Sequence, residues 1–325
     1  MKRAIRAAVA AVLGLAIAGG ASGGAGAQPR GAGGLPDPEA NIVEALVVTA
    51  RHPAPAWWRV ERGGSTVWIL GVLDVPLPKD VSWRRQELDA RLDGAAGLIT
   101  APRLHAGLED IVGLFKLYTM IRTSENLEDN LDPTLKARFV ADRARIGKGP
   151  EPYAHWRPMV AGQVLLRDTR PPGATDVGRQ VRAEAARRGV QARAAGEYDL
   201  IPFARTALES MTAASEGACL AAALDDAEAG EAAYRRAAVG WARGDVGAAL
   251  KAPRQFDRCL LLMAGGPQLW RRSTDDLADA IAKGLETPGH AVATVSLRRL
   301  LAKDGLVDSL KARGLTVIGP NDPES

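Results

Sequence analysis

The chain has 325 residues, of which 46% are hydrophobic, a composition typical of a globular protein. It carries 42 Lys and Arg side chains against 38 Asp and Glu, and the two signs alternate rather than forming one basic face. This pattern argues against nucleic acid as a partner. No segment after residue 27 is apolar and long enough to cross a bilayer, so we do not expect an integral membrane protein.

The amino terminus has the three parts of a cleavable signal peptide. Three basic side chains within the first six residues precede an apolar run over residues 7–18, and Ala25-Gly26-Ala27 supplies the small-x-small cleavage pattern before Gln28. Removing residues 1–27 leaves 39 basic against 38 acidic side chains. An amphipathic anchor helix is the less favoured alternative because the run is apolar on every side. We therefore expect a periplasmic or secreted protein.

The two cysteines, Cys219 and Cys259, both have apolar neighbours in the carboxyl half of the chain. In an oxidising compartment an even pair favours a disulfide, which would contribute about 3–4 kcal/mol by closing a loop of about 40 residues. Two buried free thiols are the alternative. Neither cysteine has a second Cys or His at the spacing of a metal site.

Residues 28–55 are rich in Gly, Pro and Ala, and their composition predicts a flexible leader in which residues 42–50 form a short β-prone run. A folded region follows over residues 56–320, and residues 321–325 form a tail. The length of this region indicates one large domain, or one domain with a helical insertion.

The folded region begins with a predicted β-hairpin, in which runs over 57–62 and 65–70 flank Gly-Gly. Ser82 is a predicted helix cap, with the helix running to about Asp93. Residues 97–100 are short and apolar, as in a buried strand. This strand–helix–strand unit predicts a layered α/β core.

Helical patterns dominate from about residue 104 to about residue 285. They cover Ile111 to Tyr118, Asp132 to Ile146, 152–167, 175–188 and most of 202–285. At the carboxyl end the predicted elements are a strand at 290–297, a helix at 304–313 and a strand at 315–318.

Signatures of common catalytic sites are missing from the sequence. There is no HExxH, G-x-S-x-G, Walker loop or G-x-G-x-x-G. The four histidines, at 52, 105, 155 and 290, have no partner at i+3 or i+4, so we interpret them as loop or cap residues.

Asp74 is the single candidate catalytic residue, because it follows an apolar strand at the place where open α/β sheets bind ligands. A carboxylate there can hold a metal or act as a base. Its neighbours Pro76 and Pro78 favour the simpler interpretation, a turn-forming Asp.

Three motifs resemble the TraB/GumN family (TraB/PrgY/GumN, relatives of the Tiki proteins). The first is AWWRVERGGSTVWILG at 56–71. The second is WARGD at 241–245, which is similar to the family's W-x-x-G-D. The third is the carboxyl end, with RLLAKDGL at 299–306 and RGLTV at 313–317. The resemblance implies an EreA/ChaN-like α/β (α+β) fold, in which both chain ends build a mixed sheet around a large helical insertion.

The chain departs from this resemblance at each position of the implied divalent-metal site. Relatives carry G-x-x-H after the first core strand, an acidic residue after the next strand, and a second G-x-x-H near the carboxyl end. Here Gly71 is followed by Asp74 in place of His, Thr100 stands at the acidic position, and the second motif runs from Ser296 to Arg299.

The arginine is the decisive change, since a guanidinium has no lone pair to offer a metal. At about 4 Å and an effective dielectric of about 20, each pair of like unit charges costs about 4 kcal/mol, before doubling for a divalent ion. We expect an Asp74–Arg299 salt bridge in its place, and no metal or other cofactor.

The favoured function is thus an envelope binding protein, a pseudoenzyme that binds a peptide, a glycan or another envelope protein. Trp57, Trp58 and Trp83 either line its cleft or, more commonly for such residues, belong to the core. The alternative function is a metal-dependent hydrolase or peptidase that combines Asp74 with a carboxylate such as Asp176 or Glu197.

Overall fold

The two ends of the folded region meet in one mixed sheet, as a computed structural model of the protein shows. The structure describes residues 37–44, 47, 49, 53–107 and 110–321. The strands are β1 Trp57–Arg62, β2 Ser65–Val72, β3 Leu98–Thr100, β4 Arg103–His105, β5 Ala192–Ala194, β6 Glu197–Asp199, β7 Gly289–Ser296 and β8 Thr316–Ile318. Six of them form a sheet in the order β5-β3-β7-β2-β1-β8, and β4 pairs with β6.

Helices fill most of the chain between β4 and β7, and further helices precede β3 and follow β7. They are α1 Gln86–Leu92, α2 Ile111–Met120, α3 Pro133–Arg145, α4 Pro158–Asp168, α5 Val177–Arg187, α6 Leu200–Glu209, α7 Ala213–Ala242, α8 Val246–Ala249, α9 Gln255–Leu261, α10 Gly266–Gly284, α11 Leu297–Leu301 and α12 Leu306–Ala312. The helix α7 is kinked at Gly230, whose φ is +72°. The mixed α/β class predicted from the sequence is confirmed.

The predicted hairpin forms, with β1 antiparallel to β2 and Gly63 and Gly64 in the turn at positive φ. Such turns favour glycine because it has no Cβ. The strand β2 then pairs in parallel with β7, and β7 pairs in parallel with β3. Val67, Ile69 and Leu70 of β2 are fully buried, as expected of a strand covered on both faces.

A second hydrophobic core lies among the helices, around Phe139, Leu165 and Leu220. It is closed by the predicted disulfide, since Cys219 of α7 and Cys259 of α9 are bonded with a Cα–Cα distance of 5.5 Å. The bridge therefore ties the short helix α9 to the long helix α7.

Part of the segment predicted as a flexible leader is packed onto the fold. Asp37 and Glu39 are buried, and Ile42 forms a β-bridge with Ala302. Thr49 forms a second bridge within the β-prone run over residues 42–50. The predicted signal peptide and cleavage point lie outside the described residues.

Two details of the predicted elements are wrong. The helix after Ser82 begins only at Gln86, with Arg85 at the N-cap and no side-chain cap. The helical region also contains β4, β5 and β6. These strands have three residues each. The strand β5 extends the six-stranded sheet by pairing with β3, and β4 and β6 form a separate two-stranded sheet. Both pairings join segments about 90 positions apart, which local sequence patterns do not reveal.

Other boundaries follow from local chemistry as predicted. Asp132 caps α3 by accepting hydrogen bonds from the N–H groups of Thr134 and Leu135, and Pro133 occupies the first turn. In the described ranges, no helix combines the length and the apolarity that a bilayer crossing requires.

Candidate functional site

The parallel strands β2, β7 and β3 end at one edge of the sheet, where a cleft of about 600 Å³ opens. We call it the strand-end cleft. Open α/β sheets bind their ligands at this kind of edge. Four of the predicted site positions line it: Asp74, Thr100, Ser296 and Arg299.

Gly71, the fifth predicted position, holds the backbone of β2 in a tight environment. A Cβ at this position would lie 2.4 Å from Cδ2 of Leu297 and 2.8 Å from Cζ3 of Trp58, so a larger residue would force the neighbours apart. The Gly71 carbonyl accepts a 2.7 Å hydrogen bond from the buried indole of Trp241. This contact fixes the strand end from which Asp74 extends.

The WARGD motif that contains this tryptophan has a structural role. Gly244 has a φ of +76°, which favours glycine after a helix end. Asp245 caps α8 by accepting a 2.9 Å hydrogen bond from the N–H of Ala248. The motif therefore ends one helix, starts the next and anchors Gly71.

Asp74 lies half-buried in the cleft, where its carboxylate accepts a 2.6 Å hydrogen bond from the Ser296 hydroxyl. Burial, and then the neighbouring carboxylate of Glu39, raise the pKa of Asp74 well above its usual value. The hydrogen bond from Ser296 and the charge of Arg299 oppose this shift without cancelling it. The carboxyl group is therefore easier to protonate than an ordinary Asp.

Arg299 also lies in the cleft, but the predicted Asp74–Arg299 salt bridge is wrong. No contact within ion-pair distance joins these two described residues. The guanidinium donates a 2.6 Å hydrogen bond to Ser273 and lies 5.9 Å from the ring of Trp270. The carboxylate of Asp74 is hydrogen-bonded to Ser296 and the guanidinium of Arg299 to Ser273, so the two charged groups do not bond to each other.

Burial lowers the pKa of Arg299, while the negative charges of Glu39 and Asp74 oppose the change. A guanidinium has so high an intrinsic pKa that it keeps its charge in proteins. The cleft therefore contains a permanent cation held on a buried serine, because Ser273 is 4% exposed.

The segment before the folded region supplies the buried anions of the site. Glu39 is 2% exposed and accepts hydrogen bonds from Arg254 at 3.2 Å and from the Trp270 indole at 2.9 Å. Asp37 accepts from Arg254 at 3.2 Å, and the Glu39 carbonyl accepts from Arg298 at 3.2 Å. Sequence reasoning missed this network because its partners are over 200 positions apart.

The hydrolase alternative offers two carboxylates as partners for Asp74, and one of them lies in the cleft while the other does not. Asp176 lines the strand-end cleft, but it caps α5 by accepting a 2.6 Å hydrogen bond from the N–H of Arg179. Glu197 instead pairs with Arg103 at the exposed end of β6. Only Asp74 and Asp176 thus share the cleft.

Asp257 is a further carboxylate near Asp74, in an adjoining cavity that both residues line. Burial, followed by the charge of Asp74, raises the pKa of Asp257 well above its usual value. No local pattern singles Asp257 out, because it lies within an ordinary helical stretch.

The residues present do not fit the divalent metal ion that the family resemblance implies. Among the described residues, no group of three or more His, Cys, Asp and Glu side chains could hold a metal ion. The carboxylates of the cleft lining, from Glu39, Asp74 and Asp176, each already accept a hydrogen bond within the protein. The other polar side chains of the lining are hydroxyl and guanidinium groups, whereas zinc-type sites require several neutral or anionic donors.

The described histidines lie away from the cleft. His290 is at the start of β7, at the opposite end of that strand, where its Nε2 is 3.0 Å from the Arg91 carbonyl. The ring of His105 is 3.4 Å from the carboxylate of Asp199, and His155 is exposed. His52 lies outside the described residues.

The predicted aromatic residues belong to the core rather than to the cleft. Trp57 and Trp58 are buried in the sheet. Trp83 packs edge-on against Trp241 with a centroid distance of 5.3 Å, and its indole donates to Gln180. None of the three lines the strand-end cleft.

Three exposed arginines line the cleft without an ion-pair partner among the described residues: Arg170, Arg179 and Arg182. We call them the rim arginines. By contrast, Arg188 at the carboxyl end of α5 pairs with three carboxylates, Asp89, Asp93 and Glu184. Sequence reasoning did not single out the rim arginines, because charges on exposed helix faces are common.

Comparison with known proteins gives one match. The sequence model of the TraB/PrgY/gumN family matches residues 56–318, which is most of the chain. No curated protein and no solved structure matches the chain.

Proposed function

The chain belongs to the TraB/PrgY/gumN family, and we propose that it is an exported pseudoenzyme that binds a ligand in the cell envelope. In this proposal the metal-dependent hydrolysis that the family resemblance implies is lost, and the strand-end cleft serves recognition instead. The ligand is a peptide, a glycan or a group on another envelope protein.

The placement of Arg299 is the observation that carries the proposal. Its guanidinium lines the cleft and is anchored by Ser273. A divalent ion in the same cleft would meet a fixed positive charge, which costs several kcal/mol at contact distance. Asp74 adds little compensation, since its raised pKa weakens it as an anionic ligand.

Export is the second part of the proposal, and two observations support it. Residues 1–27 have the three parts of a signal peptide, and Cys219 and Cys259 form a disulfide of the kind that persists in oxidising compartments. Cleavage before Gln28 also leaves Asp37 and Glu39 in the mature chain, where they pair with Arg254.

Elemental analysis tests the loss of metal chemistry. The purified protein is exposed separately to zinc, manganese and cobalt, and unbound metal is removed by gel filtration. We expect far less than one ion per chain and the same trace amount in Asp74→Ala. Stoichiometric metal that disappears in Asp74→Ala would favour the alternative hydrolase, in which Asp74 and Asp176 share the cleft.

Intact mass spectrometry tests export. Protein recovered from the periplasm or the medium is expected to begin at Gln28 and to lack free thiols before reduction. A mass that retains residues 1–27, or two thiols that react with an alkylating agent without reduction, would contradict this part of the proposal.

A further inference from the structure

Two of the rim arginines, Arg179 and Arg182, lie where the dipole of their own helix disfavours a cation. Arg179 lies in the first turn of α5 and Arg182 in the second, close to the positive end of the helix dipole. Cations near a helix amino terminus lose about 0.3–1 kcal/mol relative to the carboxyl end. Helix stability therefore gives no reason for two arginines at this end, whereas Arg187 and Arg188 at the other end are paired.

The carboxylates of the cleft leave this positive charge largely uncompensated. Glu39 is neutralised by Arg254. Asp176 caps α5 and keeps its charge, so it offsets one of the positive charges in the cleft. The raised pKa of Asp74 favours its uncharged form. Arg299 adds a further cation to the cleft.

Below the rim, hydroxyl-bearing side chains form part of the lining, from Thr100, Thr294 and Ser296. Guanidinium groups bind carboxylates and phosphates through paired, charge-assisted hydrogen bonds. The volume of about 600 Å³ lies in the range of sites for small organic ligands, and it is much larger than one inorganic anion.

We propose that the strand-end cleft binds a small organic ligand bearing two or more oxyanion groups, carboxylate or phosphate, and that Arg170, Arg179 and Arg182 hold these groups. This inference rests on the proposed binding function, and it names the chemical class of the ligand. Arg299 contacts the ligand deeper in the cleft, next to the hydroxyl-bearing residues.

Calorimetric titration with two probes tests the proposal, pyrophosphate for phosphate groups and citrate for carboxylates. Uncharged glycerol serves as a blank. We expect saturable binding of at least one charged probe, and the stronger of the two identifies the preferred oxyanion. Binding is expected to weaken as salt rises, because the arginines are exposed.

A rim variant and a matched control make the result specific. The double substitution Arg179→Gln and Arg182→Gln is expected to weaken binding at least about tenfold, the effect of losing one charge-assisted contact. Arg62→Gln is the control, because Arg62 is also exposed and has no ion-pair partner among the described residues. It ends β1 and pairs with Ser65 at the start of β2, whereas the cleft lies at the other end of β2. The control variant is expected to bind as the unmodified protein does.

Two outcomes would overturn this inference. One is the absence of saturable binding for both charged probes, and the other is equal weakening by the rim variant and by Arg62→Gln. Either result leaves the proposed function intact if an uncharged peptide or glycan binds. The proposed function is tested separately: stoichiometric, Asp74-dependent metal in the elemental analysis would contradict the loss of metal chemistry, and a retained signal peptide would contradict export.

Discussion

Two groups of arginines differ in burial and in pairing: one contacts Glu39 behind the strand-end cleft, and the other lines the cleft itself. Arg254 and Arg298, which we call the buried arginines, are 4% and 3% exposed, and their hydrogen bonds go to Asp37, Glu39 and the Leu250 carbonyl. The rim arginines are exposed and have no ion-pair partner among the described residues. A buried guanidinium must be matched within the protein, whereas an exposed one can keep its hydrogen-bonding capacity for a ligand.

The two groups of arginines have different consequences for the protein, although composition does not distinguish them. The buried arginines make the segment around Glu39 part of the fold, although it is Gly- and Pro-rich and precedes the family domain. The rim arginines leave the cleft positively charged. Substitutions in the two groups are therefore expected to act on different properties, stability in one case and binding in the other.

The largest expected effect comes from removing the anion that the buried arginines require. Glu39→Ala leaves Arg254 with Asp37 alone and deprives the Trp270 indole of its acceptor. Breaking one partner of a buried ion pair costs about 3–5 kcal/mol. Urea unfolding measures the free energy change.

Glu44→Ala is the control for this experiment, because Glu44 belongs to the same segment but is exposed. Its free energy of unfolding is expected to stay close to that of the unmodified protein. Equal, small losses in both variants would show that the buried network contributes no stability.

A second prediction concerns the disulfide that holds α9, the helix that follows Arg254. Cys259 lies in α9, directly after this arginine, and its disulfide ties α9 to α7. Replacing both cysteines by serine is expected to lower the free energy of unfolding by about 3–4 kcal/mol. The unmodified protein is expected to lose a similar amount on addition of reductant, and the serine variant none. A reductant effect in the serine variant would refute this attribution.

A third prediction concerns the pH dependence of the same helix. Asp226 is 3% exposed and accepts hydrogen bonds from the N–H groups of Gln255 and Phe256 at the start of α9. Burial raises its pKa to about 6, which the hydrogen bonds only partly oppose. The folded state thus binds this proton more tightly than the unfolded state.

Stability from this group is therefore fully present below about pH 4 and is lost as the pH rises through about 6, by up to about 3 kcal/mol at 1.36 kcal/mol per unit of pKa. Asp226→Asn is expected to flatten this part of the stability profile measured by urea unfolding. The variant also loses one acceptor oxygen, so its stability is lower overall. An unchanged slope between pH 4 and pH 6 would contradict the assignment.

The smallest expected effect on stability comes from substitutions of the rim arginines. The Gln substitutions at Arg179 and Arg182 are expected to change the free energy of unfolding by less than about 0.5 kcal/mol, because exposed groups without ion-pair partners contribute little. Any change is expected to stabilise slightly, since cations leave the amino terminus of α5. A loss of several kcal/mol would assign these arginines a structural role.

Local signals predicted the elements that local chemistry determines. Gly63-Gly64 between β-branched and aromatic runs located the hairpin, and Asp132-Pro133 located the start of α3. The motif residues at Gly71, Asp74, Ser296 and Arg299 predicted strand ends that do meet in one cleft.

The sequence failed where distant partners determine the outcome. The three-residue strands β4, β5 and β6 depend on pairing with segments about 90 positions away in the chain. Glu39 looked like part of a flexible leader because its burial depends on Arg254 and Trp270. Asp74 and Arg299 were expected to pair on charge alone, but two serines hold them apart, and sequence motifs do not reveal such contacts.

Separate calorimetric titrations of one preparation with Mn²⁺ and with the two charged probes, pyrophosphate and citrate, test the central claim most directly, that the strand-end cleft has exchanged a cation site for an anion site. We predict saturable binding of at least one of the charged probes, weakened by substitution of Arg179 and Arg182, and no saturable binding of Mn²⁺. Stoichiometric binding of Mn²⁺ that is lost in Asp74→Ala, with no binding of either charged probe, would contradict it.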